Sequence, residues 1–205
     1  ISDAPHATFL DTLLAKKSTR DSIKTIRAIA AEHNIPFAKL EAQAVGTQVL
    51  SSNSINPKTL FSHKGIDALH IAAHSNSKIN DMLGQEIIFS PKEIKNKKIK
   101  IATILNAKKS PSLVTLSACN TSSSFYHSEK HLSLKDAFFI AGAHTVIGTL
   151  SRVSDLATAL FMKQFYRRAQ EHRLEKAFHQ AKHYIRDRYP HPAYWASMVL
   201  SGDYR

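Results

Sequence analysis

Apolar residues cluster along the chain in two ways, and the two alternate. Phe9, Leu10, Leu13 and Leu14 recur at helical spacing, and Ile23, Ile26, Ile29 and Ala30 do so again before Asn34-Ile35-Pro36. Both stretches read as amphipathic helices with Lys16, Lys17, Arg20, Lys24 and Arg27 on their polar faces. Residues 37–50 read as a short helix through Glu41 that becomes extended over Thr47-Gln48-Val49-Leu50, and Ser51 to Pro57 reads as a loop. Three short apolar runs follow: 66–72, 113–118 and 145–150, each entered through Gly, Pro or Ser. None alternates cleanly, which suits strands buried on both faces of a parallel sheet. Ser90-Pro91-Lys92-Glu93 is a helix-start signal. Residues 95–109 mix Lys with Ile and Leu and fit helix or strand equally. Ser154 or Asp155 caps a helix running to about Glu171, and a second runs from Glu175 to Arg188 before Pro190. Strand-like runs separated by helix signals predict an α/β fold with a mostly parallel central sheet.

Composition narrows the function classes. The 205 residues hold 28 Lys plus Arg against 16 Asp plus Glu, a net charge of +12 with His neutral. Apolar residues make up 43% of the chain, ordinary for a folded domain, and there is one cysteine. That count excludes an internal disulfide framework and a multi-cysteine zinc site. No apolar run approaches the roughly 18–20 residues of a membrane span. The first residues, Ile1-Ser2-Asp3-Ala4-Pro5-His6, do not read as a signal peptide. The expectation is a cytoplasmic domain cut from a longer chain, with no metal or organic cofactor and no membrane partner.

Ligands of open parallel sheets bind beyond the carboxyl ends of the strands. The first run delivers Ala73-His74-Ser75-Asn76, the second Cys119-Asn120-Thr121, the third Ser151-Arg152-Val153-Ser154-Asp155. If the first two strands are neighbours, His74 and Cys119 converge. A thiol beside an imidazole suits nucleophilic catalysis, because the thiolate attacks and His takes the proton. Taken singly, a lone Cys is more often a small buried hydrophobe, and a lone His a structural hydrogen-bonder. The pair outweighs either alone: His precedes Cys by about 45 residues, close to the roughly 50 of caspase-type enzymes. His70 and His74 also stand at i, i+4, but on a strand their rings would lie ~13 Å apart. His70 is therefore expected to be structural, bonded to a neighbouring backbone group.

At these residues the sequence resembles a known family. Leu69-His70-Ile71-Ala72-Ala73-His74 followed by Leu113-Val114-Thr115-Leu116-Ser117-Ala118-Cys119-Asn120-Thr121 resembles the paired signature of the CHAT domain. These are caspase-like cysteine peptidases, often joined to tetratricopeptide repeats and related to separases. Asp136 to Ala143, Gly148-Thr149-Leu150, Val153, Asp155, Ala157-Thr158-Ala159 and Phe165-Tyr166 follow in family order. His191-Pro192-Ala193-Tyr194-Trp195-Ala196 and Gly202-Asp203 complete it, so the resemblance covers about residues 40–205.

The resemblance implies a caspase-like α/β domain over residues 37–205, preceded by an N-terminal helical extension, or the end of a repeat region, over 1–36. It implies a cysteine endopeptidase with His74 as general base and Cys119 as nucleophile. The backbone N–H groups of Cys119 and Ser75 would form the oxyanion hole. Ser75 stands where the family usually has Gly, and Ser151 where it often has Trp. Asn120 and Asp155 are weaker substrate-binding candidates. Some members prefer a basic residue before the scissile bond, so Asp155, and also Asp67, Asp81 and Asp136, are candidates for an acidic pocket. Implied partners are a protein or peptide substrate and a regulatory tetratricopeptide-type domain or complex. The alternative is a catalytically silent caspase-like module that binds protein or RNA through its basic surface. The Lys cluster 92–109 and Arg167-Arg168 to Arg173 are the densest basic stretches. No recognition motif accompanies them, so a solvated or acidic-partner-docking face is favoured over nucleic acid.

Overall fold

A computed structural model describes residues 23–31, 34–61, 64–76, 83–90, 97–107, 109–118, 121 and 132–203. In chain order the elements are β1 (Ile26–Ala30), α1 (Ala38–Val45), β2 (Gln48–Leu50), α2 (Pro57–Phe61), β3 (Ala68–Ala72), β4 (His74–Asn76), β5 (Glu86–Ile88), β6 (Lys98–Lys100), α3 (Ile101–Leu105), β7 (Leu113–Ser117), α4 (Leu134–Ile140), β8 (Thr145–Thr149), α5 (Asp155–Ala169), α6 (Leu174–Arg188) and β9 (Met198–Gly202).

Among the described residues, six strands form the main sheet in the order β2-β1-β3-β7-β8-β9. The first five run parallel, and β9 closes the edge antiparallel to β8. A second, antiparallel sheet of β4, β5 and β6 stands beside it. Every residue of β3, β7 and β8 is buried. This is why their sequences read as mostly apolar runs without clean alternation: both faces are covered.

The two faces divide the core by the two-residue period of a strand. Ile26, Ala28 and Ala30 of β1 and Ala68 and Ala72 of β3 meet α1, α5 and α6 through Ala38, Ala42, Phe161, Phe165 and Phe178. Ile29, Leu69, Ile71, Val114, Leu116 and Val146 face the opposite way, toward Ile87, Phe89, Ile104 and Phe138. The first face is built of small side chains, so its helices approach closely. A Cβ added at Gly46, which follows α1, would come within 2.5 Å of the Ala28 Cβ.

Expectation and structure agree for α1, β2, the three apolar runs and the two C-terminal helices. Ser154 caps α5, its side chain accepting the Ala157 N–H. The helix expected from Ile23 to Ala30 is overturned: Ile26–Ala30 is strand β1, bonded in register to β2 and to β3. A five-residue strand buried on both faces fills consecutive positions with apolar groups, and its isoleucines then fall at helical spacing by coincidence. Arg27 is compatible with the strand because its guanidinium reaches the Thr59 carbonyl at 2.8 Å. A strand in the middle of the sheet also belongs to the α/β domain itself, ahead of the boundary expected at residue 37. The rest of the expected N-terminal extension, residues 1–22, and the helix start at 91–93 lie outside the described residues. The ambiguous stretch 95–109 resolves into both alternatives, strand β6 running directly into helix α3.

The edge strand depends on one glycine. Gly202 has φ +98°, and a Cβ there would meet the His144 carbonyl oxygen at 2.1 Å and the Phe139 ring at 2.8 Å. The same carbonyl accepts the Asp203 N–H at 2.9 Å. Gly202→Ala is expected to destabilise the fold by about 2 kcal/mol or more, since it combines a left-handed backbone with overpacking. Denaturant unfolding reads this directly, and an unchanged midpoint would contradict it.

Candidate functional site

The carboxyl ends of β3 and β7 carry the site candidates. The two strands are hydrogen-bonded neighbours, with Ala72 opposite Ser117. The Ala73 N–H donates to the Ser117 carbonyl at 3.2 Å, extending the pairing past the end of β3. His74 then opens β4, where it pairs with Ile88 of β5. Its side chain is exposed, and among the described residues no hydrogen-bond partner stands against the ring. Ser75 is half-buried in the extended backbone of β4, a conformation open to any side chain, so the replacement of Gly strains nothing here. Cys119 and Asn120 lie outside the described residues.

The residues on either side of that pair are well anchored. The Thr149 hydroxyl donates to the Ala118 carbonyl at 2.6 Å. The Thr149 N–H donates to the Thr121 hydroxyl at 3.0 Å, and the Lys135 N–H to the Thr121 carbonyl at 3.2 Å. Thr149 entered the sequence analysis only as part of the Gly148-Thr149-Leu150 block, and its bonds to both flanks of the pair were not foreseen.

His70 occupies a different environment from His74, inside the main sheet. It is fully buried, as are Thr115 opposite it and, nearly so, Glu41 and Tyr166. Nδ1 of His70 lies 2.7 Å from the Thr115 hydroxyl, which lies 2.7 Å from the Tyr166 hydroxyl. On the other side, Nε2 stands 3.1 Å from Glu41 Oε1, an ion-pair distance without hydrogen-bond alignment. The histidine is structural as expected, but its partners are side chains from α1, β7 and α5 rather than a backbone group. Burial pushes the Tyr166 phenol well above its ordinary value, and the Glu41 carboxylate adds to that against the pull of the Thr115 hydroxyl.

The acidic candidates have local duties. Asp67 Oδ2 accepts the Lys24 and Thr25 N–H groups at 2.9 and 2.8 Å, at the amino ends of the strands and away from His74. Asp136 forms a capping box with Ser133 at the start of α4. Asp155, in the first turn of α5, accepts the Phe37 N–H at 2.9 Å and ties the entry of α1 to α5. Asp81 lies outside the described residues. Ser151, at the end of the third run, bonds Ser197 side chain to side chain.

A separate surface carries mixed charge. Arg168 of α5 and Glu175, Lys176, His179, His183, Tyr184 and Asp187 of α6 line an open groove of about 640 Å³. The guanidiniums of Arg168 and Arg188 stand 5.8 and 4.7 Å from the Tyr184 ring centre. Of the Lys cluster, residues 92–96 and 108 lie outside the described residues. Among the described residues, no helix is long and apolar enough to cross a membrane.

Residues 3–203 match the family model of the CHAT domain. The chain belongs to the CHAT-domain family. No curated protein is recognisably similar to this CHAT domain in sequence. Its fold is similar to that of the Arg-specific cysteine proteinase gingipain R, RgpB, with a TM-score of 0.66 at 10% identity over 96% of this chain and 51% of that one. The complex of Porphyromonas gingivalis RgpB pro- and mature domains gives 0.64 at 11% identity over 96% and 52%. A structure titled as a protease gives 0.61 at 12% over 96% and 51%. The CHAT domain thus spans about half the length of these solved chains. The mostly parallel sheet flanked by helices is the α/β architecture that the sequence resemblance implied.

The buried network yields a prediction with a sign. Tyr166→Phe leaves Thr115 bonded to His70 and removes one buried hydrogen bond, at a cost of about 1 kcal/mol at pH 7. A phenol raised in the folded state holds its proton there after the unfolded chain has lost it. Wild-type stability therefore falls as pH rises beyond ~10, the unfolded tyrosine value. The Phe variant lacks this loss, so the stability gap between the two proteins narrows above that pH. Urea midpoints from pH 7 to 11 check this; a gap that widens contradicts it.

Proposed function

We propose that this CHAT domain is a cysteine endopeptidase in which His74 and Cys119 form the catalytic dyad. The observation that carries the reading is the β3–β7 register. With Ala72 opposite Ser117, the two chains leave the sheet as neighbours, each two residues short of its dyad member. The exposed imidazole of His74 is available for proton transfer.

The chemistry follows from those residue types. His74 takes the proton of Cys119, and the thiolate sulfur attacks the carbonyl carbon of a peptide bond. The tetrahedral oxyanion is held by the N–H groups of Cys119 and Ser75. Collapse expels the amine, which receives the proton from His74, and leaves a thioester. Water, deprotonated by His74, hydrolyses the thioester and restores the thiol. Asn120 and Asp155 are the weaker substrate-binding candidates, and Oδ2 of Asp155 already accepts the Phe37 N–H. Activity is gated by other parts of a longer chain or by a tetratricopeptide-type partner, with the α5–α6 surface as a docking face. The second reading, a silent binding module, is favoured only by the two guanidinium groups over the Tyr184 ring.

A peptide-library cleavage assay on the full-length protein tests the proposal. Cys119→Ala and His74→Ala are each expected to lower kcat/KM roughly 10³-fold or more, as loss of a residue acting within a catalytic unit does. Cleavage that survives Cys119→Ala would overturn the peptidase. Salt-sensitive RNA retention unchanged by that variant, with no cleavage in the wild type, would support the binding module.

A further inference from the structure

We propose that Thr149 is a positioning residue for the nucleophile, fixing the backbone on both sides of Cys119-Asn120. The inference rests on the reading of Cys119 as nucleophile. Thr149 is the last residue of β8 and is fully buried. Its hydroxyl holds the carbonyl of Ala118, immediately before Cys119, and its N–H holds the side chain of Thr121, immediately after Asn120. One residue therefore bonds both flanks of the pair. Thr121 is itself fully buried and is gripped from a second direction by the Lys135 N–H of α4.

The sheet explains why a side chain takes on this task. The β7–β8 register ends at Thr115 opposite Ile147, although β8 continues for two more residues. Past that point the Thr149 hydroxyl supplies the bond to the chain that follows β7. Thr149 is in turn fixed from the other side, paired with Met198 of β9, and the Leu150 N–H donates to the Ser197 carbonyl at 3.0 Å. A β-branched side chain has restricted χ1, so the hydroxyl direction is set by a rigid backbone. Displacements of ~1 Å at a reacting group can cost ~100-fold in rate, so the anchoring of this turn bears on turnover as well as on folding.

The experiment compares wild type, Thr149→Val, Thr149→Ser and Thr121→Val in the full-length protein. Val keeps the shape of Thr without its donor, and Ser keeps the donor. The rate of alkylation by iodoacetamide from pH 5 to 9, taken as the part lost in Cys119→Ala, reports Cys119, the one cysteine of these 205 residues. Thr149→Val is expected to lower kcat about 10- to 100-fold with KM little changed, and to alter the alkylation pH profile. Thr149→Ser should restore most of both. Thr121→Val removes the acceptor of the Thr149 N–H and should show a milder form of the same change, with some loss of melting temperature. Wild-type kcat and alkylation in Thr149→Val would overturn the proposal. So would losses that follow the melting temperature equally in the Val and Ser variants. If the wild type cleaves no peptide, the peptidase reading fails by that result, while alkylation still reads whether Thr149 positions the thiol.

Discussion

The pairing of β3 with β7 is the constraint on which the candidate site depends. Five consecutive residue pairs, from Ala68 opposite Leu113 to Ala72 opposite Ser117, fix how far each strand runs before it leaves the sheet. A slip of one residue would turn Leu69, Ile71, Val114 and Leu116 toward the wrong face, so burial of those side chains specifies the register strongly. The sequence distance between the residues that follow β3 and those that follow β7 thereby becomes a spatial relation between two strand ends.

A polar thread runs through that core. Glu41, His70, Thr115 and Tyr166 join α1, β3, β7 and α5 on the face otherwise lined by alanines and phenylalanines. His70 and Thr115 are opposite one another in the β3–β7 ladder. A shifted register would separate them and leave buried polar groups without partners. The network therefore acts with the apolar faces to select a single pairing. Two histidines four residues apart serve different ends because the strand changes sheets between them: one is locked in the core, the other stands exposed on β4.

How much of this was legible depended on how completely each element is buried. β3, β7 and β8 announce themselves because every position is covered and turn residues bound them. The helices α5 and α6 show their periodicity over 15 residues each. Strand β1 is buried except at Arg27, but Ile26 and Ile29 fall at helical spacing and Lys24 and Arg27 imitate a polar helix face. Only pairing with β2 and β3 decides the matter. The β4–β5–β6 sheet was not foreseen: its strands are three residues long, too short for any period to register. The position of His74 just past β3 was legible. The bond of Asp155 to Phe37, 118 residues away, and the grip of Thr149 on Ala118 and Thr121 were not, because tertiary contacts of this kind leave no trace in local pattern.

The central claim is that the ends of β3 and β7 form one nucleophilic site. A crystal structure of the protein treated with a peptidyl acyloxymethyl ketone tests it most directly. The account predicts a thioether to Cys119 Sγ, with the His74 imidazole on the same face of the sheet within hydrogen-bond reach of the adduct. The ketone oxygen should lie toward the N–H groups of Ser75 and Cys119. An adduct on any other side chain, or an imidazole turned to the opposite face from a modified Cys119, would contradict it.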